Sequence, residues 1–329
     1  MKYQAHEGLA RGTFCARAGG TNGVPRVTRQ RRVWSMSSRS RSVLAGAVLA
    51  AGCTAPTEIP DISYDDRHGA STTMDFYLPD DGALVHPTVM FIHGGGWTGG
   101  DKDHAFAIGP RLARSGYAVA SINYRLVPAG VFPNNATDCI CALAFLRAHA
   151  AEYAIDPDRI AVVGYSAGAH LGGLVGLASD DSELPADCEV AGGRPVAPPA
   201  AVVAASGAQD MVEFYDWVND KGSVEAIFGG TPTEIPHAYE LGSPIFHVRA
   251  GAPPFLLMGD AIDFGGIEAM RDELVAAGND ARLLRIAGSA HVFVQHGEPG
   301  IYEGGMAIEA PEAWIALGAF LERTIGRSR

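Results

Sequence analysis

The chain has no C-x-x-C pair. Its five cysteines stand at positions 15, 53, 139, 141 and 188. Cys139 and Cys141 are too close together for the usual zinc-ligand spacing. On a helix, two residues apart point to different sides, so these two do not bridge each other. One of them could bridge Cys188 if the protein is exported; otherwise both are buried free thiols. Basic residues are also scarce in the body. Of 25 Lys+Arg and 37 Asp+Glu, residues 1–52 hold nine and one, which leaves 16 and 36 and a net charge of −20 from residue 53 onward. Such a body repels nucleic acid, and no basic stripe offsets it. The plainer reading of the acidity is a solvated surface that keeps the protein soluble. No run is apolar enough to span a bilayer: Val43–Ala51 is about half of the ~20 residues required. No internal repeat is visible. What the chain does have is 41 glycines and a hydrophobic fraction of 47%, ample for a core.

The N-terminal part divides by composition. Residues 1–35, rich in Arg and Gly and without periodicity, read as a disordered extension or a mis-assigned start. Residues 36–52 read as a signal peptide: a basic Met36-to-Arg41 stretch, the apolar Val43–Ala51, then small residues. Leu49-Ala50-Ala51-Gly52-Cys53 resembles a bacterial lipobox, with the Leu one place farther from the cysteine than usual. The expectation is export and a lipid anchor at Cys53 on the bacterial cell envelope, with plain secretion to the periplasm or medium as the first alternative and a cytosolic protein as the second. A membrane enters only through that anchor. Residues 53–60 then read as a tether, and 61–329 as one catalytic domain.

From residue 87 onward strands and helices alternate. Strands are expected over Pro87–Ile92, Ala118–Ile122, Ile160–Val163, Val202–Ser206, Pro254–Met258 and Ala281–Ile286. Helices are expected over Ala105–Arg114, Asn135–Glu152 (long and amphipathic), Glu268–Ala277 and Ala310–Ile325. Two short strands within Ser63–Leu78 are joined by a polar turn around Arg67-His68-Gly69. The alternation predicts an α/β fold with a mostly parallel sheet covered on both faces. Residues 180–250 read as a lid or insertion: Pro, Gly and acids to 200, then scattered aromatics without strand signals.

One stretch organises the whole. Ile160–Val163 is a buried strand, and it runs into Gly164-Tyr165-Ser166-Ala167-Gly168, followed by small and apolar residues at helical spacing. A G-x-S-x-G alone carries little weight in a chain with 41 glycines. Between a strand and a helix it has the setting of a nucleophile elbow, with Ser166 at the apex. The bland reading is an ordinary strand–turn–helix.

The second signal is His93-Gly94-Gly95-Gly96-Trp97 directly after a strand. No Gly-Lys-Ser/Thr follows, which disfavours a phosphate loop. Consecutive glycines let bare backbone N–H groups approach a developing oxyanion. The expected donors are Gly94 and Gly95 with Ala167 of the elbow, and His93 is expected to hold the loop. Serine needs a base. His291, in Gly288-Ser289-Ala290-His291 after the last strand, is the first choice, and His296 its rival; His170 should pack along the elbow helix. The acid that orients the base is expected after Pro254–Met258, where Asp263 is preferred and Asp260 is the alternative. Either choice preserves the order Ser…Asp…His.

Taken together, these pieces resemble the α/β-hydrolase superfamily, in particular the bacterial esterase/lipase group related to hormone-sensitive lipase and to acetyl- and feruloyl-esterase-like hydrolases. The matching residues are His93–Trp97 with Gly100-Asp101-Lys102, Asn123-Tyr124-Arg125-Leu126, Phe132-Pro133 leading to Asp138, Ile155-Asp156-Pro157-Asp158-Arg159-Ile160, and Gly164–Leu171. They cover about residues 60–325. The resemblance implies an eight-stranded α/β-hydrolase sheet and hydrolysis of a small-molecule ester, with a short acyl group, through an acyl-enzyme. It implies no metal and no organic cofactor. One departure bears on the acid: relatives carry His-Gly-x-x-Asp-x-x-Val-Pro after the seventh strand, whereas Met258 replaces that His and Ile262 falls at the Asp. Rival readings are an amidase or arylformamidase on the same scaffold, a prolyl-oligopeptidase-type peptidase, disfavoured by the short stretch before residue 87, and a non-catalytic surface binding protein.

Overall fold

Strand β3 (His86–Ile92) is buried along its whole length and pairs on both sides in parallel, which is why it ends in the continuous apolar run Val89–Ile92 rather than an alternating one. In the computed structural model, which describes residues 55–106, 108–259, 265–286, 291 and 310–328, β3 lies near the middle of an eight-stranded sheet. The other strands are β1 (Thr57–Ser63), β2 (Thr73–Leu78), β4 (Ala118–Ile122), β5 (Ile155–Tyr165), β6 (Ala201–Ala205), β7 (Phe255–Gly259) and β8 (Ala281–Arg285), in the order β1-β2-β4-β3-β5-β6-β7-β8. Only the β1–β2 and β2–β4 pairings are antiparallel. The alternation predicted a mostly parallel sheet, and the resemblance implied this eight-stranded α/β-hydrolase arrangement.

Strand pleating sorts the core. Met90 and Ile92 point to one face, into a cluster with α2 (Asn134–Ala148) and α3 (Ala167–Ala178). Val89 and Phe91 point to the other, against α1 (Ile108–Ala113) and α8 (Pro311–Thr324). On the β6–β7 side, Val202, Ala204, Phe255 and Leu257 pack with α3 and α7 (Ile267–Ala276). Between β6 and β7 the insertion forms three short α-helices, α4 (Met211–Trp217), α5 (Lys221–Phe228) and α6 (Pro236–Leu241), and a 3₁₀ helix, Pro244–His247.

Several expectations need correction. Residues 57–60 are not tether: they belong to β1, where Thr57 pairs with Leu78. The turn after β1 is a 3₁₀ helix, Asp66–Thr72, capped by the Asp65 carboxylate. The helix expected over 105–114 is split into a 3₁₀ helix, Lys102–Phe106, and α1. Pro110 lacks an N–H, so it fits only the first turn of a helix, and α1 begins two residues before it. Helix α2 is shorter than expected and is not amphipathic. It is buried almost all round, from Asn135 to Leu146. The reason is tertiary: Leu184, Ala186, Cys188 and Val196, from a segment without helix or strand, cover its outer face. A Cys141–Cys188 disulfide, with Cα atoms 6.1 Å apart, ties that cover to α2. Cys139, two residues away, points elsewhere and is a buried free thiol.

Among the described residues no helix is long and apolar enough to cross a membrane. The signal peptide, Cys53, Asp260, Asp263 and His296 lie outside the described residues.

Candidate active site

Strand β5 and helix α3 meet at Ser166, and the chain turns there within a single residue. Ser166 has φ 53° and ψ −124°, a conformation that a side chain makes costly. The turn closes because its flanks are glycine. A Cβ on Gly164 would collide with the carbonyl of Gly168, and a Cβ on Gly168 would collide with the carbonyl of Ile92. The Ser166 amide donates to the Ala205 carbonyl at 2.8 Å, which fixes the elbow to β6. Ser166 therefore stands at the C-terminal edge of the parallel sheet, at the positive end of α3, with Ala167 as the first helical residue.

His291 reaches this point from the far end of the sequence. Its Nε2 lies 2.9 Å from Ser166 Oγ, across 125 residues of chain. The structure thus brings the expected nucleophile and base into hydrogen-bond contact. His170, by contrast, is fully buried, and its ring nitrogens meet Trp97 and the Gly242 carbonyl.

The glycine loop leaves β3 beside Ser166: a Cβ on Gly94 would fall 3.0 Å from Ser166 Cβ and 2.7 Å from the Tyr165 ring. His93 holds this loop, as expected. Its Nδ1–H donates to the Gly94 carbonyl at 2.7 Å, its ring stacks on Tyr124 at 4.4 Å, and Tyr124 Oη donates to the His93 carbonyl. Burial pulls the His93 pKa down to about 4, so the ring is neutral. Tyr165 grips Gly94 from the other side. Burial pushes the Tyr165 hydroxyl up to about 12, and a backbone hydrogen bond from Gly94 works against that rise. The same hydroxyl shares a 2.8 Å bond with His104 Nδ1. Gly95, Gly96 and Trp97 follow with φ of 120°, 60° and 59°.

Beyond the loop, Lys102 is anchored by Asp61 at 2.9 Å and Asp75 at 3.0 Å. Burial would lower its pKa, but these two carboxylates raise it above the ordinary lysine value. Asn123 Oδ1 accepts from the Lys102 amide, and Arg125 pairs with buried Asp138 at 2.7 Å. The Gly100-Asp101-Lys102 and Asn123-Tyr124-Arg125 motifs are therefore a frame around the loop rather than reacting groups. Sequence reading missed Tyr165, His104 and Trp97 as part of this frame. The signal available was their position next to the two glycine motifs. Among the described residues no group of three or more His, Cys, Asp or Glu side chains could hold a metal ion.

The BD-FAE family model matches residues 74–264. The chain is 33% identical over 204 residues to a probable carboxylic ester hydrolase, LipM, of Mycobacterium tuberculosis, covering 60% of this chain and 46% of the relative. It is 31% identical over 188 residues to Esterase LipC of the same organism (54% and 44%), and 34% identical over 130 residues to an ethyl acetate hydrolase of Pseudomonas putida (39% and 41%). The chain thus spans less than half the length of these relatives. Among solved structures, a truncated carbohydrate esterase from gut microbiota superposes with a TM-score of 0.68 at 24% identity, covering 84% of this chain and 99% of that one. A butyrate-bound esterase of Thermogutta terrifontis gives 0.60 at 21%, covering 78% and 91%. At these identities the structures speak for the fold. The chain is an α/β hydrolase of the bacterial esterase group and belongs to the BD-FAE family.

Proposed function

We propose that this protein is a serine carboxylic-ester hydrolase. The observation that carries the reading is the 2.9 Å contact of His291 Nε2 with the Oγ of a serine on a strained elbow. As Ser166 Oγ attacks the ester carbonyl, His291 takes its proton. The carbonyl oxygen becomes an oxyanion held by the amides of Gly94, Gly95 and Ala167 and by the N-terminus of α3. His291 then gives its proton to the leaving alcohol. Water, deprotonated by His291, attacks the acyl-enzyme and releases the acid. Asp263, or in its place Asp260, orients His291. The similarity to an ethyl acetate hydrolase supports a short acyl group. The disulfide supports an oxidising compartment, in keeping with export and an anchor at Cys53.

The test is hydrolysis of p-nitrophenyl esters from acetate to long chains, beside matched anilides, by the wild type and Ser166→Ala. Serine-dependent ester turnover that falls with chain length is expected. Full activity in Ser166→Ala would refute the mechanism, and faster anilide cleavage would make the enzyme an amidase. Asp263→Asn should lose far more activity than Asp260→Asn; the reverse moves the acid to Asp260. Labelled palmitate entering the wild type but not Cys53→Ser would test the anchor.

A further inference from the structure

Three consecutive residues with positive φ end the glycine loop, and the third is a tryptophan. Glycine takes such angles at little cost, but a bulky residue does not, and the penalty is about 1–3 kcal/mol. Something must hold Trp97 there. Its carbonyl accepts from the Val127 amide at 3.0 Å. Its indole N–H donates to His170 Nδ1 at 3.1 Å, and the two rings meet edge to face at 5.4 Å.

The chemistry of the indole settles the state of His170. An indole N–H only donates, so Nδ1 must carry a lone pair, and the proton must sit on Nε2. Nε2 faces the Gly242 carbonyl at 2.7 Å, which accepts that proton's hydrogen bond. Both ring nitrogens are used, and the ring is fully buried. Burial holds its pKa down at about 4, so the neutral form persists.

Three parts of the fold meet at this ring. Trp97 belongs to the loop, and His170 to the first turns of the helix that begins at Ser166. Gly242 closes α6 of the insertion. Phe214, on α4 of the same insertion, packs on Trp97 with centroids 6.1 Å apart.

We infer that His170 is a positioning residue for the oxyanion loop, acting through Trp97, and that the insertion sets its tautomer through Gly242. This rests on the proposed ester hydrolysis. The loop amides must point at charge that develops only in the transition state. Releasing Trp97 lets the loop relax, so the loss falls on kcat and leaves KM little changed.

The test uses Trp97→Phe, His170→Phe, the double variant and His170→Asn, whose Oδ1 stands where Nδ1 stood. With p-nitrophenyl acetate, Trp97→Phe and His170→Phe should each lower kcat about tenfold or more, with KM within about threefold. The double variant should be no worse than either single one, because both remove the same bond. His170→Asn should retain more kcat than His170→Phe. Multiplying losses in the double variant, unchanged kcat, a loss confined to KM, or equal losses in His170→Asn and His170→Phe would each overturn the inference. A second readout stands apart from turnover. The Trp97 indole N–H, assigned by its loss in Trp97→Phe, should exchange slowly with solvent in the wild type and fast in His170→Phe. A wild type without ester turnover but with a protected indole would refute the proposed function and not the bond; a fast-exchanging indole in the wild type would refute the bond itself.

Discussion

The position that a Gly168 side chain would occupy is already taken by β3: a Cβ there would fall 2.6 Å from the His93 carbonyl oxygen and nearer still to that of Ile92. Helix α3 therefore lies against the strand that launches the glycine loop with no atom to spare. Gly168→Ala must push helix and strand apart. We predict a loss of about 2 kcal/mol or more, by the cost of overpacking a rigid site, together with most ester turnover. Urea midpoints of the two proteins check this, and an unchanged midpoint would refute the close approach.

Ser166 carries a backbone strain that glycine would not feel. Ser166→Gly should therefore be inactive yet more stable, by about 1 kcal/mol once the lost bond to His291 is set against the strain released. Calorimetry should place its melting point above that of the wild type. A lower melting point would mean that the elbow stores no strain.

The Cys141–Cys188 bridge closes a stretch 47 residues apart in sequence and holds the cover over α2. Its removal in Cys188→Ser should cost about 2–4 kcal/mol, chiefly by freeing the unfolded chain. Reductant should lower the unfolding midpoint of the wild type and leave that of Cys188→Ser in place. Equal sensitivity of both would count against the bridge.

His93 and His170 both titrate at about 4 in the folded protein because burial disfavours the charged ring. In the unfolded chain they titrate at about 6.5. Between these values the unfolded chain binds more protons, so stability falls as pH drops through the window. Above about 6.5 the contribution is complete and flat. The slope is about 1.4 kcal/mol per pH unit for each histidine. Unfolding measured at about pH 7, 6 and 5 should show it, and His170→Asn should lose one histidine's share. Equal slopes in the two proteins would exclude His170 as a source.

The elbow and the glycine loop are legible in sequence because their causes are local. Only glycine fits at 164 and 168, and a strand–turn–helix with serine at the turn follows from the residues themselves. The buried strands are legible too, since a parallel sheet covered on both faces needs unbroken apolar runs. Local pattern misjudged α2, whose outer face is apolar for a partner more than 40 residues away. The tether was misjudged for a similar reason. Residues 57–60 look like linker, and they become strand only because β2 offers them an edge.

Contacts between distant residues belong to the tertiary structure alone. Eleven histidines were available as bases. Folding places His291 Nε2 2.9 Å from Ser166 Oγ, although 125 residues of chain separate the two. Folding likewise selects Cys141 over Cys139, since on one helix only one of the two sides faces Cys188. It also turns His170 from a residue merely following the nucleophile into the partner of Trp97. Sequence determined which local shapes the chain can take, through the sterics of glycine and the spacing of apolar side chains. The packing of those shapes decided which polar groups meet, because a hydrogen bond depends on positions in space that spacing along the chain does not encode.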